Sequence, residues 1–134
     1  MSVVVDTSAL LRLFIPDGPI PTGMKAALRE AERGNNLLLA PELILPEAAQ
    51  VLLKKKKAGI ITQEEMGELL DCIISLPIRL FRHKPIIQRS SELALEHNIT
   101  VYDALFLVLA DVNNARLITA DHLLERTAKK LGLN

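Results

Sequence analysis

Along this chain the hydrophobic positions fall into short unbroken runs and longer helical-period stretches that alternate. Val3 to Val5 is a β-branched run without polar interruption, the pattern of a strand covered on both faces, and it stops at Asp6. Ala9, Leu10, Leu11 and Leu13 suggest a short helix, closed by the loop Pro16 to Pro21, and Gly23 to Arg33 reads as a charged surface helix ending at Gly34. A second strand, Leu37 to Ala40, stops at Pro41. Pro46 is tolerated only in a first turn, so the next helix begins between Glu42 and Pro46 and runs to about Ala58 before Gly59. Thr62 to Glu65 spells a T-x-x-E capping box, followed by Met66, Leu69, Leu70, Ile73 and Ile74 at helical spacing. Ile78 to Phe81 is a short strand placed at a sheet edge by its flanking Arg79 and Arg82. A helix from Pro85 to His97 precedes Thr100, which caps the nearly all-apolar and therefore buried helix VYDALFLVLADV. Leu117 to Ala120 is another strand, ending beside Asp121, and a last helix carries Leu124, Thr127, Ala128 and Leu131 on one face.

Strands alternating with helices predict an α/β fold: a three-layer α/β/α sandwich around a parallel sheet of four strands, with a fifth left open because the chain stops at Asn134. A length of 134 residues with 49% hydrophobic composition predicts one domain spanning 1–134 and excludes a disordered chain. Sixteen basic and sixteen acidic residues cancel, so the global positive field of a non-specific nucleic-acid binder is absent. The single cysteine, Cys72, excludes an internal disulfide and is expected in the core. With no basic leader segment and no apolar run near the roughly 18 residues of a membrane span, the expectation is a cytoplasmic protein without a membrane partner.

Candidate chemistry lies in the carboxylates. In parallel α/β sheets ligands bind beyond the carboxyl ends of the strands, where strand order reverses. Asp6 and Asp121 follow two strands apolar enough to be central; Asp103 stands in the first turn of the buried helix, and Glu47 in the early part of the helix after the second strand. Each has an ordinary role in isolation, since Asp6, Asp103 and Asp121 suit helix starts and Glu47 suits a solvated helix face. Four acids on one edge are nevertheless expected to raise one another's pKa values unless a cation neutralises them. Mg²⁺ or Mn²⁺ prefers carboxylate and water oxygens, and phosphodiester hydrolysis is the chemistry that uses such an ion, to activate water and to balance developing charge. Thr7, Ser8 and Thr119 are placed to hydrogen-bond and orient these carboxylates.

The segments VVVDTSALLRLF, LLLAPELILPEAAQVLLKK, ITVYDALFLVLA and ARLITAD, in this order and spacing, resemble the PIN-domain ribonucleases, most closely the VapC-like toxins of toxin–antitoxin pairs. The likeness spans nearly the whole chain. It implies a PIN-like fold and matches the acids of the family to Asp6, Glu47, Asp103 and Asp121, with Thr119 as the accompanying hydroxyl. It further implies a Mg²⁺- or Mn²⁺-dependent endoribonuclease acting on RNA, often a homodimer, held in check by a VapB-like antitoxin. Two positions depart from the family pattern: Gln50 stands where an asparagine is common, and the usual fifth strand has no residues after Leu133 and Asn134.

The remaining candidates are weaker. Arg12, six residues after Asp6, suits contact with substrate backbone or antitoxin about as well as a plain surface role. Lys54 to Lys57 spread around a helix end, where the dipole favours them. Arg79, Arg82, His83, Lys84 and Arg89 surround the edge strand and suit either phosphates or solubility; His122 beside Asp121 reads as a surface residue. One tyrosine, three phenylalanines and no tryptophan give poor support for base stacking. A phosphoacceptor signalling domain also gathers aspartates and Mg²⁺ at strand ends, but it needs an acidic pair after the first strand and an acceptor aspartate after the third, where this chain has Asp6 alone and Phe81-Arg82-His83. A catalytically silent PIN-like partner-binding protein is the other alternative, disfavoured by the intact acid set. If the four acids serve a metal, the rest of the surface is slightly basic, and RNA affinity without metal should be weak.

Overall fold

The computed structural model describes residues 1–134. The elements run β1 (Ser2–Val5), α1 (Thr7–Leu11), α2 (Met24–Glu32), β2 (Leu37–Pro41), α3 (Ile44–Lys57), α4 (Gln63–Ile74), β3 (Ile78–Phe81), α5 (Ile87–His97), α6 (Val101–Val112), β4 (Arg116–Ile118) and α7 (His122–Lys130). The four strands form one parallel sheet in the order β3-β2-β1-β4, an α/β sandwich. The register places Val3 opposite Leu38 on one side and Arg116 on the other. Successive strand residues point to opposite faces, and Val3, Val4 and Val5 are all buried, so helices cover both faces of β1.

The long apolar helix is the central packing element. In α6 every residue from Ala104 to Ala110 is buried, and the helix lies against β1, β2, β4 and α5. Its start is set by Thr100, whose hydroxyl accepts the Asp103 N–H. The capping box of α4 forms in both directions, Thr62 to Glu65 and back. β3 lies at the sheet edge as its arginines predicted. No single helix is long and apolar enough to cross a membrane.

Three expectations are corrected. Cys72 is exposed; α4 packs mainly on α3 and buries only Ile73 fully, and Cys72, about 100° further around the helix, faces away from that contact. β4 is an edge strand and is shorter than its apolar run suggested, ending at Ile118. Beyond Ile118 the Ala120 N–H donates to the Ser8 hydroxyl in place of a ladder partner, and the Thr119 side-chain hydroxyl donates to Asp6. At the outer side of β4 the Leu117 N–H donates to the Leu133 carbonyl at 2.6 Å, so the tail supplies one rung where a further strand would lie.

The chain builds β1, β2 and β3 as successive neighbours and then crosses to the far side of β1 to make β4. Strand order therefore reverses at β1. The crevice beyond the carboxyl ends of β1 and β4 is where a parallel sheet leaves room for a ligand.

Candidate active site

Asp6 follows β1 directly, with its backbone N–H extending the ladder to the Ile118 carbonyl at 3.2 Å. Its side chain is the N-cap of α1, accepting the Ala9 N–H at 2.9 Å on Oδ1, which also accepts the Ser8 hydroxyl at 2.8 Å. The Thr119 hydroxyl donates to Oδ2 at 2.5 Å. Thr119 in turn accepts the Asp121 N–H at 3.0 Å, and Ser8 accepts the Ala120 N–H at 2.9 Å. Two hydroxyls thus tie the end of β1 to the end of β4 and hold the Asp6 carboxylate rigid. Thr7 does the same for α3, donating to Glu47 Oε1 at 2.7 Å.

Asp121 is the N-cap of α7: its Oδ1 accepts the N–H groups of Leu123 and Leu124, at 2.8 and 3.1 Å. The ordinary role foreseen for Asp6 and Asp121 is real, and it coexists with a place in the groove. Asp103 differs, because Thr100 has taken the capping position of α6 and leaves the Asp103 carboxylate without that duty. A groove of about 370 Å³ brings Asp6, Glu47, Asp103 and Asp121 together, with Thr7, Ser8 and Gln50 along it and Leu11, Val51 and Phe106 as its apolar lining. Four acids separated by up to 115 positions in the chain meet there, on four different elements or their caps.

No lysine, arginine or histidine lines this groove. Burial pushes the Asp6 carboxyl up to about 6, against the hydrogen bonds from Thr119, Ala9 and Ser8, with a smaller upward push from the charge of Asp121. Glu47 is raised by burial and then by Asp103, with Thr7 opposing; Asp103 is raised by burial and then by Asp121. The expectation of raised acids holds for these three, but its leading cause is desolvation and mutual repulsion comes second. No three acidic, histidine or cysteine side chains converge tightly enough to hold a metal ion on protein atoms alone. A hard divalent ion fits this donor set on other terms: one or two carboxylates bound directly, the rest reached through retained waters.

The other candidates lie elsewhere. Arg12 turns from the carboxylates, its Nη1 donating to the Pro19 carbonyl at 3.2 Å. Lys55 pairs with Asp17 at 2.8 Å and Arg89 with Asp111 at 3.1 Å. His122 is exposed and lines a neighbouring groove with Arg12. A contact with no trace in the sequence pattern is that of His83, whose Nε2 accepts the Leu43 N–H at 3.0 Å. Leu43 is the N-cap of α3 and has no capping side chain of its own, so His83, from the loop after β3, completes the start of the helix that carries Glu47. The 40-residue separation hides this cap from any local pattern.

A parallel α/β sheet with four acids gathered where its strand order reverses defines an α/β protein with an acidic cleft at the strand ends. The profile of the PIN domain family matches residues 3–130. The chain belongs to the PIN domain family. It is 27% identical over 123 residues to Ribonuclease VapC3 of Pyrobaculum aerophilum, covering 90% of each chain. To Ribonuclease VapC1 of Mycobacterium tuberculosis it is 28% identical over 119 residues, 88% of this chain and 84% of that one. Among solved structures, PAE2754 from Pyrobaculum aerophilum superposes with a TM-score of 0.73 at 21% identity, over 98% of this chain and 92% of the other. VapC20 of Mycobacterium tuberculosis, a toxin that cleaves the sarcin–ricin loop, superposes with a TM-score of 0.64 at 14% identity, over 92% of this chain and 93% of the other. These two share the fold.

Proposed function

We propose that this protein is a divalent-metal-dependent endoribonuclease of the VapC-like toxin type, a single domain of residues 1–134 that hydrolyses RNA phosphodiester bonds. The observation that carries this reading is the groove itself: Asp6, Glu47, Asp103 and Asp121 line it without a neighbouring cation, and three of them are held above their ordinary pKa. Mg²⁺ or Mn²⁺ held there would supply a water acidified for attack and a positive charge opposite the phosphate oxygens. Asp6 and Asp121, at the paired ends of β1 and β4, are the assigned direct ligands, and Glu47 and Asp103 face the same space from α3 and α6 to orient bound water. Thr7, Ser8 and Thr119 hold the carboxylate rotamers through the bonds described above. Membership of the PIN family and the likeness to proteins named as VapC ribonucleases support the assignment. The proposal includes a VapB-like antitoxin as partner, which the names of those relatives support, together with a homodimeric state and a cytoplasmic location.

The test is cleavage of a single-stranded RNA by the purified protein in Mg²⁺ or Mn²⁺, beside Asp6→Asn and Asp103→Asn. Activity lost in EDTA, restored by metal, and reduced at least about a hundredfold in each variant is expected, the order seen when transition-state charge stabilisation is removed. Cleavage unchanged by EDTA, or equal in wild type and variants, would refute it. A phosphoacceptor role finds no support, because β3 ends at Phe81 on the sheet edge and leads into Arg82 and His83, with no acid to accept phosphate.

A further inference from the structure

A second groove, of about 600 Å³, runs along the outer edge of β4 on the other side of Thr119 and Ala120 from the carboxylates. Its walls are the loop Asp17 to Thr22, the strand Arg116 to Ile118 and the start of α7. Residues 118–122 form a partition: the Thr119 hydroxyl binds Asp6, and Thr119 itself also lines the second groove, while Asp121 lines the first and His122 the second. The two grooves therefore lie along one short segment of chain, residues 118–122.

Two guanidinium groups are built into that groove. Arg12 donates to the Pro19 carbonyl at 3.2 Å, and a Cβ added to Gly18 would lie only 2.1 Å from Arg12 Nη1. Arg116 lies over Gly23, where a Cβ would sit 3.0 Å from its Nη2 and where φ is +88°. Glycine thus stands at the two points, one in the loop and one at the N-cap of α2, where these guanidinium groups approach the backbone. Neither arginine is engaged by a carboxylate: the ion pairs of the molecule use Arg33, Lys55, Arg89 and His97. Of the two acids in the groove, Asp17 is taken by Lys55 at 2.8 Å and Glu125 stands exposed on α7. With Asp17 paired, the two arginines outnumber the one remaining acidic side chain, Glu125, beside a site whose own charge is negative.

We propose that this groove holds the phosphates of the RNA strand next to the scissile bond, with Arg12 and Arg116 as its two anion-binding side chains. Planar guanidinium donors suit phosphate oxygens, and phosphate contacts fix register without reading sequence. An acidic or extended polypeptide is the competing occupant, but the Leu117 N–H that an added strand would use is already bonded to the Leu133 carbonyl. The proposal rests on the nuclease reading for the identity of the strand, and the groove's charge and position stand without it.

The experiment measures binding of a fluorescently labelled single-stranded RNA to the full chain in EDTA, as a function of salt, for wild type, Arg12→Gln, Arg116→Gln and the double variant. Arg126→Gln serves as a control, being exposed on α7 outside the groove. Each groove variant should bind about tenfold more weakly, as expected for loss of a charge-assisted hydrogen bond. Each should also lower the slope of log affinity against log salt by about 0.7, and the double variant by about 1.4, the single-strand value per phosphate contact. Arg12→Lys and Arg116→Lys, which keep the charge, should keep most of the slope. Unchanged slopes in the double variant, with its circular dichroism and melting equal to wild type, would overturn the proposal. So would a groove-dependent affinity for polyglutamate that exceeds that for RNA, which would assign the groove to an acidic peptide. A denaturing gel of the same RNA after incubation with metal reads the nuclease assignment separately: no cleavage with an intact salt slope sinks that assignment and leaves the groove standing.

Discussion

At the scale of single residues, Asp6 concentrates the tension between stability and chemistry. It is 5% exposed, accepts three hydrogen bonds, and still titrates near 6 against an ordinary value near 3.8. A carboxyl raised in the folded state stabilises the fold while protonated, so its contribution is complete below about pH 4 and is lost as pH rises through about 6. The shift corresponds to about 3 kcal/mol, an upper bound because a bound cation would relieve it. In EDTA the melting temperature should therefore fall between pH 4 and pH 6.5. Asp6→Asn should flatten that fall and raise stability at pH 7 by about 1–3 kcal/mol while removing activity. An Asp6→Asn variant less stable than wild type at pH 7, measured by urea unfolding in EDTA, would contradict the burial argument. The hydroxyls of Thr7, Ser8 and Thr119 were legible as partners of nearby acids because they stand beside Asp6 and Asp121 in the chain. Which oxygen each one serves was not, since that depends on how the ends of β1 and β4 meet.

Among the elements, α3 shows how a helix can be completed from a distance. Its N-cap, Leu43, offers no capping side chain, and His83 accepts the Leu43 N–H from the loop after β3. Edge strand and helix start are thereby clamped one turn before Glu47. His83→Leu should cost about 1–3 kcal/mol through an orphaned N–H and should also lower kcat by loosening the turn that positions Glu47. Thr62→Ala, which breaks the capping box of α4, should cost about 1 kcal/mol and leave kcat unchanged. Paired chemical denaturation and initial-rate measurements check both, and equal kcat for His83→Leu and wild type would reduce His83 to a purely structural cap. The capping box was readable because all its atoms lie within four residues. The β4 edge and the exposure of Cys72 were not, because strand position and helix facing are decided by neighbours from distant parts of the chain.

For the whole molecule, charge balance and charge placement carry different messages. The chain is neutral overall, yet the charged residues of one groove are all acids, while the adjoining one carries two arginines outside any ion pair beside Asp17 and Glu125. Neutrality thus conceals a dipolar surface across the partition at residues 118–122. RNA affinity should be weak in EDTA and rise when Mg²⁺ is added, as the cation cancels the repulsion between phosphate and the carboxylate groove. Fluorescence anisotropy with wild type measures this at a Mg²⁺ concentration and time too short for cleavage. An affinity that Mg²⁺ lowers as a simple competing salt would show that the carboxylate groove does not contribute to binding.

By itself the sequence determined the element types, the parallel α/β class, the buried α6, the helix caps made by near neighbours, and the acids worth watching. These follow from hydrophobic period, from proline and glycine at fixed places, and from polar side chains within a few residues of their partners. Only the tertiary structure decided that β4 is an edge, that Asp103 is free of capping duty within the groove, that His83 caps α3, and that Arg12 and Arg116 share a groove beside the acids. Each of those depends on contacts between segments tens of residues apart, and the energy that selects them is the packing of α6 and the strands into one core, which no local window contains.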